Sequence, residues 1–248
     1  MKFRPCIDLH QGKVKQIVGG TLNDEGAREN YVSDRGAAWY ADLYKKHKLS
    51  GGHVIMLGPG NTEEAVKALR AYPGGFQVGG GINPENAGMF LDEGAMGVIV
   101  TSWVFHQGQI DFERLEAMKK SVGPERLILD LSCRLRDGNY WIVTDRWSRF
   151  TELPLDAATL RLLGASCSEF LVHAADVEGR QLGIEEPVVA LLGEASPVSA
   201  TYAGGIRSRE DIDLVRSLGK GQVDFTVGSA LDIFGGPLSF TRLAAEYA

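Results

Sequence analysis

Read as a pattern of apolar and polar stretches, the chain repeats one unit. Short apolar runs fall at 4–9 (RPCIDL), 53–57 (HVIML), 76–80 (FQVGG) and 97–101 (GVIVT) in the first half. The second half has 126–131 (RLILDL), 169–174 (EFLVHA), 198–203 (VSATYA) and 223–228 (VDFTVG). Each run is apolar on both faces, which predicts parallel strands buried between layers. Helical patterns lie between them. Residues 61–72 (NTEEAVKALRAY) set Ala65, Leu69 and Tyr72 on one face, with Asn61 or Thr62 as N-cap. Residues 208–219 (SREDIDLVRSLG) space Ile212, Val215 and Leu218 helically, with acidic residues early and Gly219 at the end. Eight strands alternating with helices predict a single α/β domain over residues 1–248, a (β/α)8 barrel. A doubly wound open sheet is second choice, weakened because no G-x-G-x-x-G follows the first strand.

The two halves resemble each other. Asp8 and Asp130 lie 122 positions apart, Ile82 and Ile206 124, and Ser102 and Ser229 127. Landmarks at nearly one offset point to an internal duplication of half a barrel, about 1–122 and 123–248. Asp8 then ends strand 1 and Asp130 strand 5, glycine runs follow strands 3 and 7, and serines follow strands 4 and 8. Two stretches break the repeat. Residues 19–50 form a long, polar, glycine-bearing connection before a helix near 36–48. Residues 134–153 read as a hairpin, NYWIVT and RFTEL flanking a charged turn. Connections this long are either functional covers or variable surface.

Composition narrows the function classes. A net charge of −6 argues against binding a nucleic-acid backbone. Three scattered cysteines, Cys6, Cys133 and Cys167, support neither a disulfide framework nor a zinc site and suit a reducing compartment. The first residues lack a signal-peptide core and no apolar run reaches ~20 residues, so a cytoplasmic protein is expected.

Glycines between a strand and a helix let backbone N–H groups approach a phosphate, or simply make tight turns. A glycine run followed one strand later by a Thr-Ser or Gly-Ser pair, twice over, favours two phosphates on opposite sides of one barrel mouth. Carboxylates ending opposite strands can divide base and acid work if their environments separate their proton affinities. A lone Asp there would read as an N-cap or a buried, hydrogen-bonded group. H-E-x-x-H, G-x-x-x-x-G-K-S/T, G-x-S-x-G and EF-hand patterns are absent. Among His10, His47, His53, His106 and His173, the last is placed to reach the mouth, as a donor to a substrate oxygen or as a packed histidine. Trp141 and Trp147 could stack on a planar ring or pack together. Trp147, beside Arg146 and Arg149, is the better candidate.

The stretches PCIDLHQGKVKQIVGG, QVGGGI, LILDLSCR, TYAGGIRS and DFTVGSALDIFGG resemble the phosphoribosylformimino-5-aminoimidazole carboxamide ribotide isomerases of histidine biosynthesis, from Met1 to the C-terminal region. GGHVIMLGPGN and DRW resemble the eukaryotic-type branch. The resemblance implies a two-fold-repeated barrel and a small substrate phosphorylated at both ends. It also implies an Amadori rearrangement of an aminoaldose to an aminoketose, without metal or organic cofactor. It makes Asp8 the base at sugar C2 and Asp130 the acid that opens the furanose. Gly80, Gly81, Thr101 and Ser102 would hold one phosphate; Gly204, Gly205, Gly228 and Ser229 the other. Arg134, Trp147, His173 and Asp176 are further candidate substrate contacts. Against the bacterial pattern, Ala174 replaces a threonine whose role falls to His173, Asp176 or Glu178, Gln16 stands where an arginine is expected, and MLGPGN replaces an acidic strand end. A monomer with no nucleic-acid or membrane partner is expected. The alternatives are the sister cyclase of the same pathway and a non-catalytic phosphosugar-binding barrel; breadth toward phosphoribosylanthranilate is left open.

Overall fold

In the computed structural model, which describes residues 1–18, 21, 28–145 and 147–248, the eight apolar runs become eight parallel strands. They are Cys6–His10 (β1), Gly52–Met56 (β2), Phe76–Gly79 (β3), Gly97–Val100 (β4), Leu127–Asp130 (β5), Glu169–His173 (β6), Ser199–Ala203 (β7) and Val223–Phe225 (β8). Each pairs with its sequence neighbour in the order β1 to β8. The residues before β1 close the ring. Phe3 bridges Phe225 in parallel, and the Phe225 N–H donates to the Lys2 carbonyl at 3.0 Å while the Arg4 N–H donates to the Phe225 carbonyl at 2.8 Å. A ring has no exposed edges to pair with another chain. This excludes the open sheet and gives a (β/α)8 barrel.

The helices are Ala37–Lys46 (α1), Thr62–Ala71 (α2), Ala87–Asp92 (α3), Phe112–Val122 (α4), Ala157–Gly164 (α5), Glu186–Ala195 (α6), Arg209–Leu218 (α7) and Phe240–Tyr247 (α8). In a strand alternate side chains face opposite ways. Ile7, Leu9, Val54, Val78, Val98, Leu129, Phe170, Val172, Tyr202 and Phe225 join the main core with the apolar helix stripes. Full burial of such a side chain stabilises by about 1.5–3 kcal/mol. The intervening positions fill the barrel, where Ile99, Ile128, Leu171 and Ala203 pack with Ile55. Toward the strands' N-terminal ends the Glu169 carboxylate accepts from Gln77 Nε2 and Thr201 Oγ1, each at 2.7 Å. That closes the floor with a satisfied polar group and leaves the other end for a site.

The local signals hold in part. Ser208 caps α7, its hydroxyl accepting from the Asp211 N–H. Asn61 flanks α2 as expected, yet it does not cap it. Its Oδ1 instead accepts from the Gly12 N–H at 2.8 Å and its amide donates to the Gly58 carbonyl at 2.8 Å, tying the turn after β1 to the loop after β2. The 134–153 hairpin gains a third strand: Cys133–Arg136, Asn139–Thr144 and Arg149–Pro154 form one antiparallel sheet. A matching excursion after β1, unexpected from sequence, is the antiparallel pair Lys13–Ile17 and Glu29–Val32. Most of the glycine-bearing start of the 19–50 connection (19, 20 and 22–27), and Arg146, lie outside the described residues.

Candidate active site

A cavity of about 410 Å³ opens at the C-terminal ends of the strands. It is lined from every strand or the turn after it. Asp8 faces inward between the outward Ile7 and Leu9, and Asp130 between Leu129 and Leu131. β1 and β5 are four steps apart in either direction round the ring, so the two carboxylates rise from diametrically opposite strands.

Their surroundings differ. Asp8 Oδ2 accepts from the buried Gln16 amide at 3.1 Å. Burial and the nearby Glu178 carboxylate push its pKa up to about 7, against the pull of His173 and Gln16. Asp130 Oδ1 accepts from the Ser132 N–H at 2.9 Å and the Ser132 hydroxyl at 2.7 Å, and lies 3.5 Å from His173 Nδ1. Burial would raise Asp130, but His173 and the two Ser132 donors outweigh it and hold this carboxyl below its ordinary value. Burial acts downward on His173, yet Asp130, Glu178 and Asp8 together lift it to about 9. His53, its ring centroid 6.0 Å from that of His173, is pushed down to about 3 by burial and by His173.

The glycine runs stand on opposite sides of the same cavity. Gly80, Gly81, Thr101 and Ser102 follow β3 and β4; Gly204, Gly205, Gly228 and Ser229 follow β7 and β8; all eight line it. Gly80 and Gly204 occupy equivalent tight positions. A Cβ on Gly80 would stand 2.1 Å from the Met56 carbonyl, and one on Gly204 2.9 Å from the Ala174 carbonyl, both at positive φ. Sequence suggested that each run leads straight into a helix. That holds for α7, beginning at Arg209, whereas α3 begins at Ala87 after a turn held by Asn83 and Asn86 side chains. On that side a turn, rather than a helix terminus, follows the glycines.

Trp147 lines the cavity at φ 65°, a left-handed conformation that a bulky side chain adopts only under constraint. Its indole N–H donates to the Ser132 hydroxyl at 2.9 Å, and its ring lies 6.0 Å from that of His173. Arg134 and Asp176 do not line the cavity. They form an ion pair of 2.7 Å, and the Leu135 N–H donates to Asp176 at 3.0 Å, which ties the three-stranded excursion to the loop after β6. Trp141 stays in that sheet under Arg136, 4.5 Å from guanidinium carbon to ring centre. Of the five histidines, His53 and His173 line the cavity.

Ser132, His53 and Gln16 were not among the expected site residues, though Gln16 was noted as a departure from the bacterial pattern; Glu178, offered as one stand-in for the missing threonine, also lines the cavity. The D-L-S spacing could have flagged Ser132, because a hydroxyl and an N–H two residues on can return to an aspartate. Among the described residues, no three His, Cys, Asp or Glu side chains are grouped as a metal site requires, and no helix is long and apolar enough to cross a membrane.

The sequence matches the family described as histidine biosynthesis protein over residues 2–236. A Medicago truncatula protein is 54% identical over 253 residues, covering 99% of this chain and 81% of the relative. It is named a chloroplastic 1-(5-phosphoribosyl)-5-((5-phosphoribosylamino)methylideneamino)imidazole-4-carboxamide isomerase. Proteins given the same isomerase name in Neurospora crassa and Saccharomyces cerevisiae are 48% and 46% identical, covering 95% and 96% of this chain and 93% and 94% of their own lengths. The chain belongs to the histidine biosynthesis protein family.

Proposed function

We propose that this chain is the aldose–ketose isomerase of histidine biosynthesis. It converts the formimino-linked aminoaldose, which carries a 5-phosphoribosyl group at each end, to its ribulosyl aminoketose. The observation that carries this reading is one cavity with carboxylates on opposite strands and glycine turns on the two remaining sides. A ligand with two phosphates spans such a cavity and brings its central sugar between the carboxylates. The named isomerase relatives favour this reading over the sister cyclase, and a purely binding barrel has no use for the aspartate pair.

Gly80, Gly81, Thr101 and Ser102 hold one phosphate, and Gly204, Gly205, Gly228 and Ser229 the other, through N–H groups and hydroxyls. Protonation of the furanose oxygen on the Asp130 side breaks its bond to C1 and leaves an iminium. Asp8 then removes the proton from C2 and the electron pair moves into C1–C2, giving an enaminol. Return of a proton to C1 and loss of the C2 hydroxyl proton complete the ketose. Asp8 suits the base role, because a group with pKa about 7 is both ionised and strongly basic near neutrality. Trp147 and His173 contact the substrate, and the Arg134–Asp176 pair ties the excursion that carries Trp147 to the loop that follows His173.

All of these groups come from one chain, which supports a monomer acting on a small molecule. Residues 1–248 form one domain in which about 1–122 and 123–248 are duplicated half-barrels. Three buried free thiols suit a reducing compartment such as the cytoplasm. An absorbance assay with the aminoaldose, coupled through the cyclase and glutamine, tests the assignment. Turnover abolished by Asp8→Asn supports it; consumption of the ketose with ammonia would instead identify a cyclase.

A further inference from the structure

We propose that Gln16 is the positioning residue of the base Asp8, and that Gly228, in the turn after β8, carries no side chain so that the Gln16 carboxamide can rest on it. This inference rests on the isomerase reading, in which Asp8 removes the C2 proton, and adds the group that holds the base.

The glycine at 228 is not explained by its backbone. Gly58, Gly80, Gly81, Gly179, Gly204 and Gly205 line the cavity at positive φ, a region that L side chains avoid. Gly228 lines it too and is not left-handed. Nor does the turn itself demand a glycine there. At the offset that matches Ser102 with Ser229, the counterpart of Gly228 in the first half is Thr101. The space beside Gly228 gives the reason. A Cβ on it would stand 2.2 Å from Gln16 Oε1, 3.3 Å from Cδ and 3.8 Å from Nε2, so its nearest neighbours all belong to one carboxamide.

That carboxamide is held from its other end. Gln16 belongs to the strand Lys13–Ile17 of the first excursion, is buried and lines the cavity. Its Nε2 donates to Asp8 Oδ2 at 3.1 Å and lies 3.8 Å from Cys6 Sγ. An ionised carboxylate only accepts, so the amide nitrogen must face Asp8 and the amide oxygen must turn away from it, onto Gly228. With Oδ2 engaged, Oδ1 meets no N–H or O–H donor among the described residues, and the Cys6 thiol lies 3.7 Å from the Val227 carbonyl. Oδ1 is therefore the oxygen that takes the proton from C2 as the electron pair moves into C1–C2.

A side chain at 228 would push the end of Gln16 off the base. Oε1 is the tip of a flexible side chain, so this displacement harms the orientation of Asp8 and spares the fold. A Cβ at Gly80 or Gly205 instead meets a backbone carbonyl. The turn after β8 thus serves as the wall that keeps the carboxamide on Asp8.

The test joins kinetics of the aminoaldose reaction with 13C NMR titration of the Asp8 carboxyl in the intact protein. Gln16→Met and Gln16→Ala should each lower kcat about tenfold, the lower range for a hydrogen bond to a charged group, with KM changed less than kcat. Gly228→Ala should keep near wild-type stability, lower kcat to a similar degree and move the Asp8 midpoint upward, as Gln16→Met does. The ionisable groups facing Asp8 are Cys6 on its own strand, His173 at the end of β6, Glu178 in the loop beyond it and Tyr44 of α1. None is among the nearest neighbours of a Cβ at 228, so a shift in Gly228→Ala reports on Gln16. The double variant of Gln16→Ala with Gly228→Ala decides the link: with no carboxamide to displace, the added methyl should lower kcat no further. Additive losses would overturn the proposal, because the methyl would then act on the phosphate alone. So would a Gln16→Met variant that keeps kcat within about twofold or leaves the Asp8 midpoint in place. The titration needs no turnover. Wild-type protein that binds the aminoaldose without converting it would overturn the isomerase reading, while the Asp8 midpoints of wild type and Gln16→Met would still report whether Gln16 holds Asp8.

Discussion

Asp8 and Asp130 occupy the same place in their two halves of the barrel. Asp130 is the last residue of its strand, whereas Asp8 lies two residues before the end of its own; both strands lead into an antiparallel excursion, and each aspartate is paired in register with an aliphatic residue of the next strand, Ile55 or Leu171. Their proton affinities nevertheless move apart, Asp8 upward and Asp130 downward. The strands set where the carboxylates stand, and the loops and excursions beyond the strand ends set the work each one does. Two residues beyond the paired aliphatics come Leu57 and His173, so one half offers an apolar side chain where the other offers a cation. The excursions differ likewise: the first gives Asp8 one amide donor from Gln16, and the second holds Ser132 and Trp147 against Asp130. A symmetric scaffold thus carries an asymmetric pair, which base-and-acid chemistry requires.

The largest break in this comparison comes from neutralising either carboxylate. Asp8→Asn and Asp130→Asn should each lower kcat at least ~100-fold while substrate binding, followed by calorimetry, survives. The reasons differ, and pH separates them. Wild-type activity should fall as pH drops through about 7, because Asp8 works as a base only when ionised. Residual turnover of Asp8→Asn should lose that limb and that of Asp130→Asn should keep it. Full activity in either variant would sink the assignment.

The glycine turns give the next comparison. A Cβ on Gly205 would stand 1.9 Å from the Gly183 carbonyl, whereas one on Gly81 meets nothing within 4 Å, though both have positive φ. Gly81→Ala should cost about 1–2 kcal/mol, the strain of a left-handed L-residue. It should stay folded and raise KM where the added methyl crowds the phosphate. Gly205→Ala adds a backbone clash and should lose more stability in a denaturant titration. Equal losses would mean that the cavity side of Gly81 is less open than its surroundings indicate.

A smaller effect is expected from Trp147→Phe, which keeps a ring and removes the donor that orients Ser132. Losing the control exerted by one ordinary hydrogen bond, ~1 kcal/mol, corresponds to about fivefold in kcat. Trp147→Ala should cost more, and the difference measures stacking separately from orientation. Identical kinetics for Trp147→Phe and wild type would remove Ser132 orientation from the mechanism.

How much of this was legible in the sequence depends on whether a feature is local. All eight strands were readable because an apolar run buried on both faces is recorded in consecutive residues. The opposed aspartates and glycine turns were readable because the two halves repeat at nearly one offset. The pair Lys13–Ile17 and Glu29–Val32 was missed because KVKQI and ENYV are short and polar, and pair through an edge that only the folded β1 presents. Arg134 and Asp176 were expected at the substrate and instead bind each other, since a charged residue near a strand end does not reveal which way it points. His53 escaped notice as a scattered histidine. Its inward direction depends on the phase of β2 against β1, with Cys6 opposite His53.

The finest comparison lies around Asp8 alone. Glu178 raises its pKa through like charge, and the Gln16 amide lowers it by donating to the ionised form. Replacing them should therefore move the acid limb of kcat/KM in opposite directions. Glu178→Gln removes the repulsion, so Asp8 ionises at lower pH and the limb moves down. Gln16→Met removes the donor at similar length, so ionisation becomes harder and the limb moves up. Each shift should be on the order of half a pH unit to one, well below the effect of losing Asp8. If both variants moved the limb the same way, burial alone would govern Asp8, and the first half of the barrel would tune its aspartate by exclusion of water rather than by the side chains its loops supply.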